Sequence, residues 1–446
     1  MPESVLVANR GEIARRVIRT ARAMGIRSIA VYSEADAGLP HVTEADEAVL
    51  LGPAQPAASY LNAGAILRAA RDAGAASVHP GYGFLAENAE FARMVIDAGL
   101  TWIGPPPAAI EAMGDKISAR NLMESAGVPV AAGSREPVAD VAAAEAEAAR
   151  IGYPVMIKAA AGGGGIGMSA AADAAQLRAG FETARSRAER FFASPAILLE
   201  RCIEPARHVE VQILGLADGE VVALGERDCS VQRRHQKVAE ETPSPGVTPA
   251  LRERMLAAAV LAGQAVGYRG AGTVECLVDP ATQDFVFLEM NTRLQVEHPV
   301  TELVTWIDLV EQQFLIADGA AASLPDGLVT PAGHALELRV YAEDPRRFLP
   351  SPGVISRWQE PAGAGVRVDA GYTAGNTVTP YYDPLLAKLC VHGRDRAEAL
   401  ARTRTAVGGF VIEGPKTNLP FHAELLDYPE FVSGEYDTGI LSRLRS

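Results

Sequence analysis

Over the first hundred residues, short apolar runs alternate with stretches whose apolar positions recur at helical spacing. Val5–Ala8, Ser28–Val31 and Ser77–His79 read as strands, while Glu12–Met24, Tyr60–Ala73 and Ala89–Ala98 read as amphipathic helices. Such alternation predicts βαβ units and a mainly parallel sheet. Gly104-Pro105-Pro106-Pro107 breaks the pattern and marks a boundary. A single helix is expected over Ala108–Ala126, with Lys116 near its middle. A separate unit follows from about 130 to 203: helix Val141–Ile151, strand Val155–Lys158, a glycine loop, helix Ala174–Phe192 and strand Ile197–Glu200. From 208 the pattern turns antiparallel, with strands near Val209–Leu214 and Val221–Leu224, a helix over Ala250–Val266, and a hairpin of Thr273–Val278 and Phe285–Asn291. Leu324–Gly333, rich in Pro and Gly, makes a second boundary, and an alternating strand, His334–Glu343, opens the last part of the chain.

Composition narrows the class. A chain of 446 residues is too long for one ordinary domain, so two or three are expected. Its 48% hydrophobic and 22% charged residues fit a soluble globular enzyme. Apolar runs such as Ala257–Ala262 are far short of the roughly 20 residues needed to cross a bilayer. The first residues carry no basic segment followed by an apolar core, so a cytoplasmic protein is expected. Cys202, Cys229, Cys276 and Cys390 form no CxxC pair, which points to reduced thiols. A net charge of −14 disfavours a nucleic-acid binder.

The basic residues are unevenly chosen: five lysines (Lys116, Lys158, Lys237, Lys388, Lys416) stand against 36 arginines. Where a lysine is kept in such a chain, a compact, flexible ammonium is called for rather than a planar guanidinium. Three of the five lie in the motifs that follow.

Ala161-Gly162-Gly163-Gly164-Gly165-Ile166-Gly167-Met168 directly follows the strand ending at Lys158. Its backbone amides can approach phosphate oxygens closely, and the segment can fold down as a lid. It is neither a Walker loop nor a Rossmann turn. In the hairpin, 275 and 289 are equidistant from a turn near Thr282, so Glu275 and Glu289 should face each other. Opposed carboxylates in apolar surroundings repel, and a shared divalent cation with oxygen ligands resolves the conflict, favouring Mg²⁺. Asn291 shares the strand face of Glu289 and offers a third oxygen. The alternative is that each glutamate pairs with an arginine. The run Asn291-Thr292-Arg293-Leu294-Gln295-Val296-Glu297-His298-Pro299 adds a guanidinium suited to a small oxyanion and a carboxylate able to act as base, with Pro299 expected to stop the strand. Gln232-Arg233-Arg234-His235-Gln236-Lys237, the densest basic patch, reads as an anion-facing strand edge. In His334–Glu343, alternation makes Arg339 a solvent-side or cleft cation. His208 is open between a core histidine, a nucleotide contact and a metal ligand.

Tyr153-Pro-Val-Met-Ile-Lys158 with its glycine loop, and Phe287-Leu-Glu-Met-Asn-Thr-Arg-Leu294, resemble the two ATP-grasp motifs shared with carbamoyl-phosphate synthases. Asn9-Arg-Gly-Glu-Ile-Ala14, His79 to Asn88, Met113-Gly-Asp-Lys116, Glu226 to Lys237, Asn291 to Pro299, Tyr341-Ala-Glu-Asp-Pro345 and Tyr382-Asp383 resemble the biotin carboxylase branch, over about residues 3–440. The resemblance implies an α/β and α+β architecture: an N-terminal Rossmann-like domain (1–114), an ATP-grasp domain (115–330) with a mobile lid at about 130–203, and a C-terminal domain (331–446), usually as a homodimer. It implies ATP contacts at Lys116, Lys158, Gly164, Gly165, Glu200, Ile203, His208, Gln232 and His235, and Mg²⁺ or Mn²⁺ at Glu275, Glu289 and Asn291. Bicarbonate would sit against Lys237, Arg293 and the backbone of Val296, with Glu297 as base and Arg339 steadying a biotin enolate. All five lysines occupy positions where the family has lysine.

The implied reaction uses ATP and bicarbonate to carboxylate biotin, through carboxyphosphate. No Met-Lys-Met biotin-attachment motif is present, so the biotin carrier protein and the carboxyltransferase are expected from other polypeptides, with neither nucleic acid nor membrane as partner. Ile166 departs from the family, which usually has a basic residue there. The competing expectations are another ATP-grasp ligase acting on a different carboxylate, and a degenerate subunit that binds ATP without turnover.

Overall fold

Four consecutive buried residues, Ser4–Val7, form β1, and a strand buried on both faces belongs at the centre of a parallel sheet. The computed structural model, which describes residues 1–160, 168–192, 194–324 and 330–445, places it there. With β2 (Arg27–Ser33), β3 (Glu47–Gly52), β4 (Ser77–His79) and β5 (Thr101–Trp102) it forms a parallel sheet in the order β3-β2-β1-β4-β5. Chain order reverses between β1 and β4, the kind of crevice in which α/β proteins place their sites. Asn9, just past β1, donates through Nδ2 to Pro80 O at 2.8 Å and Tyr82 O at 2.6 Å, just past β4, joining two of the motifs. The half-exposed β3 and the two-residue β5 carry too little apolar pattern to be read from sequence.

The expected helix over Ala108–Ala126 is two helices, Pro107–Gly114 and Lys116–Ser125. Asp115 sits between them in an extended conformation, and its side chain accepts from Ser118 N at 2.7 Å. A capping aspartate therefore ends the periodic pattern, and Lys116 is the first residue of a helix rather than the middle of one.

The unit from about 130 to 203 has its own sheet: β6 (Val155–Ala159), β7 (Ser169–Ala171) and β8 (Ile197–Arg201), in the order β7-β6-β8. Helices Val141–Ile151 and Ala174–Phe192 pack on it around Ile157, Leu177 and Phe181. Gly164, Gly165 and Ile166 lie outside the described residues.

An eight-stranded antiparallel sheet carries the rest: β9 (Arg207–Gly215), β10 (Val221–Arg233), β11 (Gln236–Thr242), β12 (Gly270–Asp279), β13 (Asp284–Asn291), β14 (His334–Tyr341), and the strands Val366–Ala370 and Leu385–Gly393. Its order is β13-β12-β9-β10-β11-β14, then Leu385–Gly393, then Val366–Ala370. The pairing of β11 with β14 makes one continuous sheet across the boundary expected near 330. β10 runs nine residues beyond the expected Leu224, to Arg233. Arg234 and His235, both with positive φ (48° and 67°), turn it directly into β11, the geometry of a tight hairpin. Gln232–Lys237 is thus a hairpin tip inside the sheet, not a strand edge. Pro299 does not stop a strand either: β13 ends at Asn291, and Pro299 lies in the first turn of helix His298–Thr305. Among the described residues, no helix is long and apolar enough to cross a membrane.

Candidate active site

A row of charge crosses four neighbouring strands. Glu289 on β13 pairs in register with Glu275 on β12, Glu275 with Glu210 on β9, and Glu210 with Arg227 on β10. The opposition of Glu275 and Glu289 agrees with the sequence expectation, although a bulge at Leu288 shifts the hairpin register by one residue below it. Three adjacent carboxylates in a buried sheet demand cations. Arg227, fully buried, donates from Nε to Glu210 Oε1 at 2.6 Å. Lys237 Nζ reaches Glu210 Oε2 at 2.5 Å, Glu275 Oε1 at 2.7 Å and Glu297 Oε1 at 2.8 Å. Burial works against the Lys237 charge, yet Glu210, Glu275 and Glu297 together raise its pKa well above the ordinary lysine value. Glu275 therefore pairs with a lysine, and with His208 Nε2 at 3.0 Å, rather than with an arginine.

Glu297 closes this network from the other side. It is fully buried, at the N-terminus of helix His298–Thr305, and its Oε2 accepts from Arg339 Nη2 at 3.0 Å. Burial opposes its ionisation, but Lys237, Arg339 and Arg227 hold its pKa well below the usual carboxylate range. The carboxylate is thus held ionised. Arg339 is not on a solvent side: it is 7% exposed, and its Nε donates to Glu240 Oε1 at 2.6 Å. Alternation assigned the face correctly, but helix His298–Thr305 lies against β14 and covers it. Burial pushes the Glu240 carboxyl up to about 7 against the pull of Arg339.

The residues expected at the nucleotide, where described, sit on several elements. Lys158 on β6 is ion-paired with Glu200 on β8, just before Ile203. Burial lowers the pKa of Lys116, with Glu289 acting in the opposite direction. His208 Nδ1 and Gln232 Nε2 are 2.6 Å apart, while His235 is exposed at the hairpin tip. Arg293 has its nitrogens committed to Glu87 (2.8 Å), Gln295 (2.8 Å) and Asn291 (3.0 Å), and the carbonyl of Val296 accepts from Lys388.

The donors suit a hard divalent cation. Burial and the neighbouring Glu275 charge raise the pKa of Glu289, so a carboxylate there lacks full compensation from protein cations. Asn291, two residues on from Glu289 on β13, has its Oδ1 accepting from Arg293 Nη2 at 3.0 Å and its buried Nδ2 without a partner. His208, Glu210 and Glu275 also bring donor atoms within 4.8 Å of one another, but a histidine nitrogen suits Mg²⁺ less than the oxygens of Glu275, Glu289 and Asn291.

Sequence reasoning missed Glu210, Arg227, Glu240 and Lys388 as members of the network. For Glu210 a signal existed: in His208-Val209-Glu210-Val211-Gln212, polar residues occupy one face of an otherwise apolar strand. Arg227 and Glu240 are linked to the site by long-range pairing, which leaves no local trace, and Lys388 stood out only as one of the five retained lysines.

Three family models match the chain: "Biotin carboxylase, N-terminal domain" over residues 1–110, "Carbamoyl-phosphate synthase L chain, ATP binding domain" over 115–324, and "Biotin carboxylase C-terminal domain" over 337–443. A biotin carboxylase of Halalkalibacterium halodurans is 50% identical over 442 residues, covering 99% of this chain and 98% of its own. A Campylobacter jejuni biotin carboxylase, solved as a complex with beta-gamma-ATP, has a TM-score of 0.96 at 43% identity and covers 99% of both chains. The biotin carboxylase domain dimer of Hydrogenobacter thermophilus 2-oxoglutarate carboxylase, solved with MgADP, ADP and bicarbonate, has a TM-score of 0.95 at 43% identity over 99% of this chain and 98% of that one.

Proposed function

The chain belongs to the biotin carboxylase family, and on that premise we propose how its own residues divide the reaction. The reaction is the ATP- and bicarbonate-dependent carboxylation of biotin on a separate carrier protein, by way of carboxyphosphate. Its parts are an N-terminal unit (1–114), an ATP-grasp unit (115–330) with its lid at about 130–203, and a C-terminal unit (331–446). Lys116, Lys158, Gly164, Gly165, Glu200, Ile203, His208, Gln232 and His235 contact ATP. Glu275, Glu289 and Asn291 hold Mg²⁺ or Mn²⁺, which neutralises phosphate charge when bound.

Bicarbonate rests against Arg293, Lys237 and the Val296 backbone, and Glu297 removes its proton. The resulting dianion attacks the γ-phosphorus of ATP, and ADP leaves. Carboxyphosphate breaks down to CO₂ and phosphate, the phosphate accepts the N1′ proton of biotin, and the enolate, faced by Arg339, takes up CO₂. Preorganised cations at developing negative charge are the main catalytic term in such a sequence.

The observation that carries this reading is the reach of a single, largely enclosed ammonium. Lys237 contacts Glu275 at the metal end and Glu297 at the base end, so both ends share one ion network. Free carriers for biotin, carboxyltransferase subunits, a homodimeric assembly and a cytoplasmic setting complete the proposal, the dimer supported by the dimeric Hydrogenobacter domain. Phosphate release that requires bicarbonate and rises on addition of free biotin is the expected behaviour. An ATPase indifferent to bicarbonate would overturn the reading.

A further inference from the structure

Lys388 is one of two lysines that the reaction just described does not use, and its side chain is completely buried. It extends from the strand Leu385–Gly393, in register with Arg339 on β14 on one side and Asp369 on the other. Its ammonium leaves the C-terminal unit and donates to Val296 O at 2.9 Å, in the loop that carries Glu297. It also meets Glu12 Oε2 at 3.0 Å, in the first turn of helix Gly11–Ala23, whose Oε1 accepts from Tyr82 OH. One nitrogen thus joins all three units of the chain beside the base.

We propose that Lys388 is a positioning residue of the bicarbonate end, clamping the Val296 carbonyl to Glu12 and thereby setting the peptide that presents Glu297 to Lys237 and Arg339. The Val296 carbonyl and the Glu297 amide belong to the same rigid peptide plane. Fixing that oxygen fixes the backbone from which the Glu297 side chain departs. A charge-assisted bond in a dry interior is the strong kind, and losing it lets that peptide and the base it carries shift. The choice of residue type agrees: in a chain with 36 arginines and five lysines, this enclosed position keeps an ammonium. A guanidinium is bulkier and planar and cannot place one compact charge so that it donates to a carbonyl while facing a carboxylate as an ion pair.

The inference rests on the proposed roles of Val296 and Glu297, and wild-type bicarbonate-dependent ATP hydrolysis is the control for those roles. If wild type lacks that activity, the proposed function fails and not this inference alone. In Lys388→Met, with folding checked by circular dichroism, the bicarbonate KM is expected to rise about ten- to a hundredfold, while the ATP KM stays within about threefold. Lys388→Arg, which keeps the buried charge, is expected to show the same split more weakly, and carries the test if the methionine variant does not fold. An unchanged bicarbonate KM, a parallel rise of both KM values, or failure of both variants to fold would make Lys388 a purely structural residue and overturn the proposal.

Discussion

Glu297 receives one oxygen's bond from Lys237 and the other's from Arg339, so neither cation can be removed without freeing the base. Arg339 nevertheless has its principal proposed role at the enolate. Arg339→Ala is therefore expected to lower biotin carboxylation about tenfold more than bicarbonate-dependent ATP hydrolysis, the loss of a charge-assisted bond at the transition state. Parallel assays of the two activities decide it, and equal losses would place Arg339 with the phosphates. The two metal-end glutamates should also part company. Glu289→Gln is expected to raise the Mg²⁺ concentration needed for half-maximal rate with little change in bicarbonate KM. Glu275→Gln should raise both, because Glu275 also holds Lys237 and His208. Magnesium and bicarbonate titrations of each variant separate these outcomes. Near-normal rates at low Mg²⁺ in either would rule out the paired-carboxylate metal site.

At the scale of single elements, the hairpin of β12 and β13 was legible because two glutamates interrupt apolar sequence at equal distance from a turn. The bulge at Leu288 was not, since one unpaired residue leaves the alternation almost intact. The break at Asp115 was written in the sequence as a Gly-Asp pair within a helical pattern, yet apolar spacing continues through it and hides the cap. Asp115→Ala removes the bond to Ser118 N and is expected to cost about 1 kcal/mol of stability. Because Lys116 starts that helix, the same change should raise the ATP KM. Thermal unfolding with ATP kinetics tests both, and an unchanged ATP KM would detach the helix start from nucleotide binding.

At the scale of the whole molecule, the βαβ start was readable from periodicity and the three-domain architecture from the family resemblance, whereas the ionic network that crosses the chain was not. Its pairs span long stretches of chain: Arg16 with Glu302 at 2.6 Å, Arg367 with Glu302 at 2.7 Å, and Lys388 with Glu12 at 3.0 Å. Only the folded sheet brings them together. Glu241 shows how such pairs stabilise the assembly, accepting from Arg396 Nε at 2.6 Å and Tyr436 OH at 2.6 Å, and lying 2.6 Å from His334 Nε2. Burial opposes its ionisation, but His334 and Arg396 hold its pKa down at about 2, below the ordinary value of 4.5. A carboxyl depressed on folding contributes stability that is complete above its unfolded pKa and is lost as pH falls toward its folded one. The expected loss therefore lies between about pH 4.5 and 2. Glu241→Gln should flatten that part of the stability profile and cost about 3 kcal/mol at neutral pH, by leaving Arg396 its bonds to Val432 O and Phe431 O but no carboxylate. Chemical unfolding across the acid range reads it directly, and a wild-type slope retained in the variant would assign the acid sensitivity elsewhere. The central claim, that one buried ion network runs this carboxylation, is tested most directly by incubating the protein with ¹⁴C-bicarbonate, MgATP and free biotin. Label should appear as acid-labile carboxybiotin in wild type and be lost in Glu297→Gln. Absence of label from wild type, or its persistence in that variant, would contradict the account.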